Sequence, residues 1–166
     1  WVNNDWLVVG IGAMTPFGPT GEAYVQRALG VSADGKTINP LLRKKRDILL
    51  VDQRGTGGSN KLVCKDSEGD SAVVEDDNYG PAAAKAFAAK CAAELGKIGD
   101  LRYYSTSDAI QDLDAVREAV GADKINLMGV SYGTRVAQQY ARRYPTHTRT
   151  VTIDGIVPNS LVLGQE

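Results

Sequence analysis

The sequence predicts an α/β fold, a mainly parallel sheet flanked by helices. Apolar segments typical of strands, at Asp47–Val51, Lys124–Met128 and Val151–Asp154, are separated by stretches with helical patterning. Parallel strands need long crossover connections that usually contain a helix, so this order predicts βαβ units. A glycine-rich turn, Gly129–Gly133, joins one of these strands directly to the next helix. We therefore expect one domain over residues 1–166.

Composition supports a folded domain and disfavours several functional classes. The chain has 166 residues, with 43% hydrophobic and 23% charged residues and a net charge of −1, which is the balance of an ordinary globular protein. A weakly acidic chain gives no reason to expect a nucleic-acid partner. The apolar runs are too short to predict a membrane span. Neither metal-ligand spacing nor a convincing cofactor motif appears, so we expect no metal and no organic cofactor.

The N-terminal half contains two predicted strands and two loops. The first strand is Trp6–Val9, followed by a Gly/Pro-rich loop at Gly10–Gly21 and a weakly patterned helix at Glu22–Leu29. The strand Asp47–Val51 lacks alternation, which predicts burial of both faces. The loop Lys65–Asn78 carries six acidic residues and is expected to be solvated.

Two helices are predicted between the second strand and the third. The first begins at Pro81, a residue favoured at the first helical position, and ends near Gly96. The second begins at Ser105, which has capping-box spacing with Asp108, and is closed by Gly121.

The turn Gly129–Gly133 fits the pattern Gly-x-Ser-x-Gly between a strand and the helix Thr134–Tyr144. This strand–turn–helix context is what gives the pattern chemical meaning, because the tight turn projects the serine Oγ above the sheet. Ser131 is therefore the candidate nucleophile. The N–H of Tyr132, at the helix N-terminus, can donate to an oxyanion.

These motifs resemble the proline iminopeptidase and tripeptidyl aminopeptidase branch of the α/β-hydrolase superfamily. The resemblance rests on three stretches: Asp47–Ser59 with its Asp-Gln-Arg-Gly-Thr-Gly turn, Tyr103–Pro145 around the turn Gly129–Gly133 (the nucleophile elbow), and Ile153–Pro158. It covers roughly residues 40–166, and residues 1–40 diverge from the family pattern. The resemblance implies a partial α/β-hydrolase fold that lacks the cap and the C-terminal strands.

The resemblance implies a serine peptidase, aminopeptidase-like, that acts on a peptide or ester through an acyl-enzyme at Ser131, with Tyr132 as one oxyanion donor. A carboxylesterase of the same fold is the alternative. The residues alone leave Cys64 and Cys91 open as buried thiols or a disulfide. Secreted members resemble this chain in placing a disulfide there, which implies an exported, periplasmic or secreted protein, with a cytoplasmic location as the alternative.

The chain departs from the family pattern in its catalytic partners. No second oxyanion donor can be assigned within Gly10–Gly18, and the family's acid and histidine follow the cap, beyond Glu166. We expect the missing C-terminal part of the fold to be a partner. His147 should lie at the opposite edge of the sheet from Ser131, which excludes it as the base. Asp154 should lie at the same edge as Ser131, where we expect a structural role, with service as the catalytic acid as the alternative.

Three further interpretations concern other features. Asp52 and Arg54 are expected to form a charge pair that fixes their turn. Gly10-Ile11-Gly12 begins like a dinucleotide-binding loop, but Thr15 occupies the third glycine position and no helix N-terminus follows to bind a pyrophosphate. A non-catalytic fragment or binding module is the remaining alternative, because a serine without its base is a poor nucleophile.

Overall fold

The computed structural model describes residues 6–11, 47–65 and 80–160. The described elements, in chain order, are β1 (Trp6–Ile11), β2 (Asp47–Leu50), α1 (Pro81–Leu95), a 3₁₀ turn (Leu101–Tyr103), α2 (Thr106–Ala119), β3 (Ile125–Val130), α3 (Tyr132–Arg143) and β4 (Thr148–Asp154). The predicted helix at 22–29 and most of the predicted acidic loop at 65–78 lie outside the described residues.

The four strands form one parallel sheet in the order β2-β1-β3-β4, which confirms the predicted fold class. From β1 the chain continues to β2 on one side, and from β3 it continues to β4 on the other. The direction of winding therefore reverses between β1 and β3. In open α/β sheets, ligands bind at the carboxyl ends of the strands beside such a reversal. Ile11 pairs with Val130, so both strands end at the same level there.

The helix boundaries follow the predicted signals with one correction. Ser105 and Asp108 form a complete capping box at the start of α2. Gly121, beyond the end of α2, has a φ of 72°, a conformation that favours glycine. The predicted start of α3 at Thr134 is wrong by two residues, because the helix begins at Tyr132 directly after the turn.

The core lies between one face of the sheet and helices α2 and α3. Its buried members are Ile110, Leu113, Ala122, Ile125, Leu127, Ala137 and Tyr140. The prediction that the second strand is buried on both faces is wrong at Leu50, which is 51% exposed. The physical reason is position, because β2 pairs with β1 alone in the described sheet. At the opposite edge, most residues of β4 are also exposed.

Helix α1 is attached to the domain through its disulfide. Cys64 and Cys91 form a disulfide, which confirms the pairing that the family resemblance implies. Lys90 also donates from Nζ to the backbone carbonyl of Lys65, at 2.9 Å. No residue of α1 is buried, and the disulfide joins this surface helix to the segment that follows β2. Among the described helices, none is long and apolar enough to cross a membrane.

Candidate active site

The turn between β3 and α3 holds Ser131 in a strained backbone conformation. Ser131 has φ 53° and ψ −123°, and a non-glycine residue there costs on the order of 1–3 kcal/mol. The turn brings β3 and α3 close together at Gly129. A Cβ on Gly129 would lie 2.6 Å from the carbonyl carbon of Gly133 and 2.9 Å from the Cα of Thr134. Glycine at position 129 is therefore a steric requirement of the turn.

Backbone hydrogen bonds fix this strained residue from both sides. The N–H of Ser131 donates to the carbonyl of Asp154 at the end of β4, at 3.0 Å. The carbonyl of Ser131 accepts from the N–H of Thr134 at 2.9 Å and from the Thr134 hydroxyl at 2.7 Å. Ser131 itself is exposed at the carboxyl edge of the sheet. Asp154 lies at that edge as expected from the sequence, and its backbone carbonyl has a structural role.

Tyr132 is the first residue of α3, so its amide is among the first-turn N–H groups that have no acceptor within the helix. The positive end of the helix dipole is also located there, which favours a developing negative charge. The phenol of Tyr132 is directed elsewhere, because its hydroxyl bonds the Thr106 hydroxyl at the start of α2. The arrangement leaves the amide, not the side chain, as the group that can act on an oxyanion.

The turn after β2 is fixed by two separate interactions, which corrects the predicted pairing of Asp52 with Arg54. Arg54 forms a two-pronged ion pair with Asp112 of α2, with both N···O distances at 2.5 Å. Arg54 Nη1 also donates to the backbone carbonyl of Tyr103, at 2.6 Å. Asp52 instead accepts from the N–H of Gly58 at 2.8 Å, within the turn. Arg54 therefore attaches the turn to α2.

His147 lies far from Ser131, in agreement with the sequence prediction. Its carbonyl accepts from the N–H of Ile125 at the amino end of β3, whereas Ser131 follows the carboxyl end. A six-residue strand spans roughly 20 Å. The imidazole Nδ1 lies 2.8 Å from Oδ1 of Asp114. A general base must be within about 3 Å of its proton, so His147 cannot serve Ser131.

Asp114 is the centre of a polar cluster at that far end. Besides His147, it accepts from Arg117 Nε and from the Tyr140 hydroxyl, each at 2.8 Å. Burial alone would raise the pKa of Asp114, but the hydrogen bonds from Arg117, Tyr140 and His147 outweigh it and lower the pKa to about 2. Burial and the hydrogen bond to Asp114 raise the pKa of Tyr140, which keeps its hydroxyl protonated as a donor.

Sequence reasoning missed four residues of this architecture. Asp112 lies 58 positions from Arg54, a separation that no local pattern reveals. Asp114 and Arg117 have the i, i+3 spacing of a helical ion pair, a signal that could have been noticed. Thr134 directly follows the Gly-x-Ser-x-Gly motif. Its bond to Ser131 is local, but its bond to Val157 depends on the fold. The Gly10–Gly18 loop beyond Ile11 lies outside the described residues, so the second oxyanion donor stays unassigned.

Comparisons with known proteins show the family of this chain. Residues 28–166 match the family model described as alpha/beta hydrolase fold. The chain is 32% identical over 163 residues to the serine protease Hip1 of Mycobacterium tuberculosis, a match that covers 92% of the chain and 30% of that protein. It is 32% identical over 123 residues to the tripeptidyl aminopeptidase of Streptomyces lividans, with 69% and 22% covered. The chain thus spans less than a third of the length of these relatives.

Solved structures share the fold at lower sequence identity. An epoxide hydrolase A from Mycobacterium thermoresistibile superposes with a TM-score of 0.54 at 20% identity, over 95% of this chain and 34% of that one. MGS-M2, an alpha/beta hydrolase from a deep-sea metagenome library, gives 0.52 at 18% identity, over 94% and 38%. The chain therefore belongs to the α/β-hydrolase superfamily, in a branch with relatives named as peptidases.

Proposed function

We propose that this chain carries the nucleophile of a serine peptidase, aminopeptidase-like, that acts through an acyl-enzyme at Ser131. The observation that carries the proposal is the strained, exposed Ser131 between β3 and the N-terminus of α3. Strain of this kind persists only where the surrounding structure fixes it, and it is concentrated at functional sites. The position at the winding reversal of the sheet supports the same assignment.

In the proposed mechanism, Ser131 Oγ attacks the carbonyl carbon of the scissile amide and its proton passes to a general base. The tetrahedral oxyanion accepts a hydrogen bond from the Tyr132 N–H. Collapse of the intermediate breaks the C–N bond, and the amine leaves with a proton from the protonated base. Water then attacks the acyl-enzyme and releases the carboxylic acid.

The base and its acid partner are proposed to come from outside these 166 residues. His147 is the chain's single histidine, and its ring is engaged with Asp114 at the opposite end of the sheet. The chain spans only 22–30% of relatives named as a serine protease and an aminopeptidase. These names support a peptide rather than an ester substrate. The disulfide supports an exported protein, because such bonds persist in oxidising compartments.

A fluorophosphonate probe tests the assignment of Ser131. We expect mass spectrometry of the labelled full-length protein, which supplies the proposed base, to locate a single adduct on Ser131. The adduct should be lost in Ser131→Ala and retained in Ser107→Ala, a matched control that removes an exposed serine from α2. Circular dichroism establishes that each variant is folded. A folded full-length protein that forms no adduct, or forms it on another serine, would contradict the proposal and favour a non-catalytic scaffold.

A further inference from the structure

Thr134 is a buried polar residue beside the elbow that the catalytic proposal does not use. It is the third residue of α3 and is 0% exposed. A threonine in a helix often bonds the carbonyl three or four residues before it, and the Thr134 hydroxyl does so by donating to Ser131 O at 2.7 Å. That bond alone would be an ordinary local feature.

The second hydrogen bond of Thr134 is not local. Its Oγ accepts from the N–H of Val157, at 2.8 Å and 23 positions away. The Thr134 hydroxyl thus donates to the backbone carbonyl of Ser131 and accepts from a backbone N–H of the segment that follows β4. Hydrogen bonds in such a chain polarise one another, so each is strengthened by the other.

The segment 155–159, which follows β4, is attached to α3 by further side chains. Gln138 Nε2 donates to the carbonyl of Val157 at 3.3 Å. One guanidinium nitrogen of Arg135 lies 3.1 Å from the carbonyl of Pro158. Gln139 Nε2 donates to the side-chain oxygen of Asn159 at 3.2 Å. These contacts fix the segment along the first two turns of the helix that begins at the elbow.

We propose that Thr134 is a positioning residue that couples the segment 155–159 to the backbone of Ser131 and so maintains the reactive geometry of the nucleophile. The inference rests on the proposed function of Ser131. Its physical basis is that Ser131 is strained and would relax if its carbonyl lost a partner. A displacement of about 1 Å at a reacting group can cost on the order of a hundredfold in rate. A displacement of the segment 155–159 would thereby be transmitted to the Ser131 backbone through the Thr134 hydroxyl.

The test compares Thr134→Val, which keeps the shape but removes the hydroxyl, with Thr134→Ser, which keeps the hydroxyl. In the full-length protein, which supplies the proposed base, we expect Thr134→Val to slow fluorophosphonate labelling of Ser131 by about tenfold, the order expected for one lost buried hydrogen bond. Thr134→Ser should stay within about threefold of wild type. Thr150→Val is the matched control, because it removes a hydroxyl bonded to Asn126 at 2.7 Å, away from the elbow. It should leave the labelling rate unchanged.

A second readout does not depend on Ser131 being reactive. Hydrogen exchange of the Val157 amide should be about tenfold faster in Thr134→Val than in Thr134→Ser. Faster exchange without any labelling of wild type would disprove the proposed function but support the coupling. Labelling at the wild-type rate in folded Thr134→Val, or equal slowing in both variants, would overturn the role of the hydroxyl. If Thr134→Val does not fold, Thr134→Ala compared with Thr134→Ser isolates the hydroxyl with the methyl removed from both.

Discussion

At the scale of single residues, Asp114 is the acid whose pKa is lowered most among the described residues. One carboxylate oxygen accepts from Arg117 and Tyr140 and contacts His147 Nδ1, and the side chain is only 17% exposed. Three partners on one oxygen fix α2, α3 and the start of β4 relative to one another. This cluster stabilises the end of the sheet that lies opposite the candidate site.

The lowered pKa of Asp114 predicts a specific loss of stability in acid. The carboxyl has a pKa of about 2 in the folded chain, against about 3.8 unfolded. The contribution is therefore complete above about pH 4 and is lost as the pH falls towards 2. Its size is about 2 kcal/mol, at about 1.4 kcal/mol per unit of pKa. Urea titrations from pH 6 to pH 2 should show this extra loss in wild type and not in Asp114→Asn.

Asp123→Asn is the control for the loss of a carboxylate, because Asp123 is exposed beyond the end of α2. This variant should retain the acid dependence of wild type. If Asp114→Asn loses stability in acid as steeply as wild type does, the assignment of this dependence to Asp114 is wrong.

At the scale of elements, the candidate site depends on the close approach of β3 to α3. The strand ends and the helix begins within two residues, so the elbow leaves no room for a side chain at Gly129. The neighbouring atoms belong to the backbone of Gly133 and Thr134, which cannot move aside as a flexible side chain would. The same approach directs the first amides of α3 towards the position of the nucleophile.

We predict that Gly129→Ala destabilises the chain by about 3 kcal/mol or prevents folding, since overpacking against fixed neighbours typically costs 1–3 kcal/mol and here the contacts are with backbone. Chemical denaturation monitored by circular dichroism measures the change. Gly80→Ala is the matched control, because a Cβ there meets nothing within 4 Å. It should alter stability by less than about 1 kcal/mol. A Gly129→Ala chain as stable as Gly80→Ala would disprove the close approach.

At the scale of the whole molecule, the described residues form a four-stranded sheet that carries its core on the side of α2 and α3. The helix α1 contributes no buried residue to that core. It is joined to the segment after β2 by the bond between Cys64 and Cys91, which are 27 positions apart. A cross-link over this separation lowers the conformational entropy of the unfolded chain, which stabilises the folded state.

Reduction of the disulfide should lower the free energy of unfolding by about 3.5 kcal/mol, from the loop-closure entropy of a loop of this length. The measurement is urea denaturation with and without dithiothreitol. Cys64→Ser/Cys91→Ser should match the reduced wild type and be insensitive to dithiothreitol. If reduced and oxidised chains unfold at the same urea concentration, the disulfide has no stabilising role.

The sequence by itself determined the features that depend on local chemistry. The capping box of Ser105 and Asp108 and the Gly-x-Ser-x-Gly turn were readable because each is set by neighbouring residues. The parallel sheet was also predictable, since strands separated by helices cannot form hairpins. The start of α3 was misplaced because Gly133 has a low helix propensity. Its place in the helix is imposed by the packing of α3 on β3.

Only the tertiary structure decided the features that join distant parts of the chain. It assigned Asp112 as the partner of Arg54 and joined Thr134 to Val157. It also showed that Leu50 is half exposed, although the apolar pattern of its strand predicts burial. Burial and hydrogen-bond partners depend on which surfaces meet in the folded chain. Local patterns specify the elements, whereas long-range packing specifies the contacts between them.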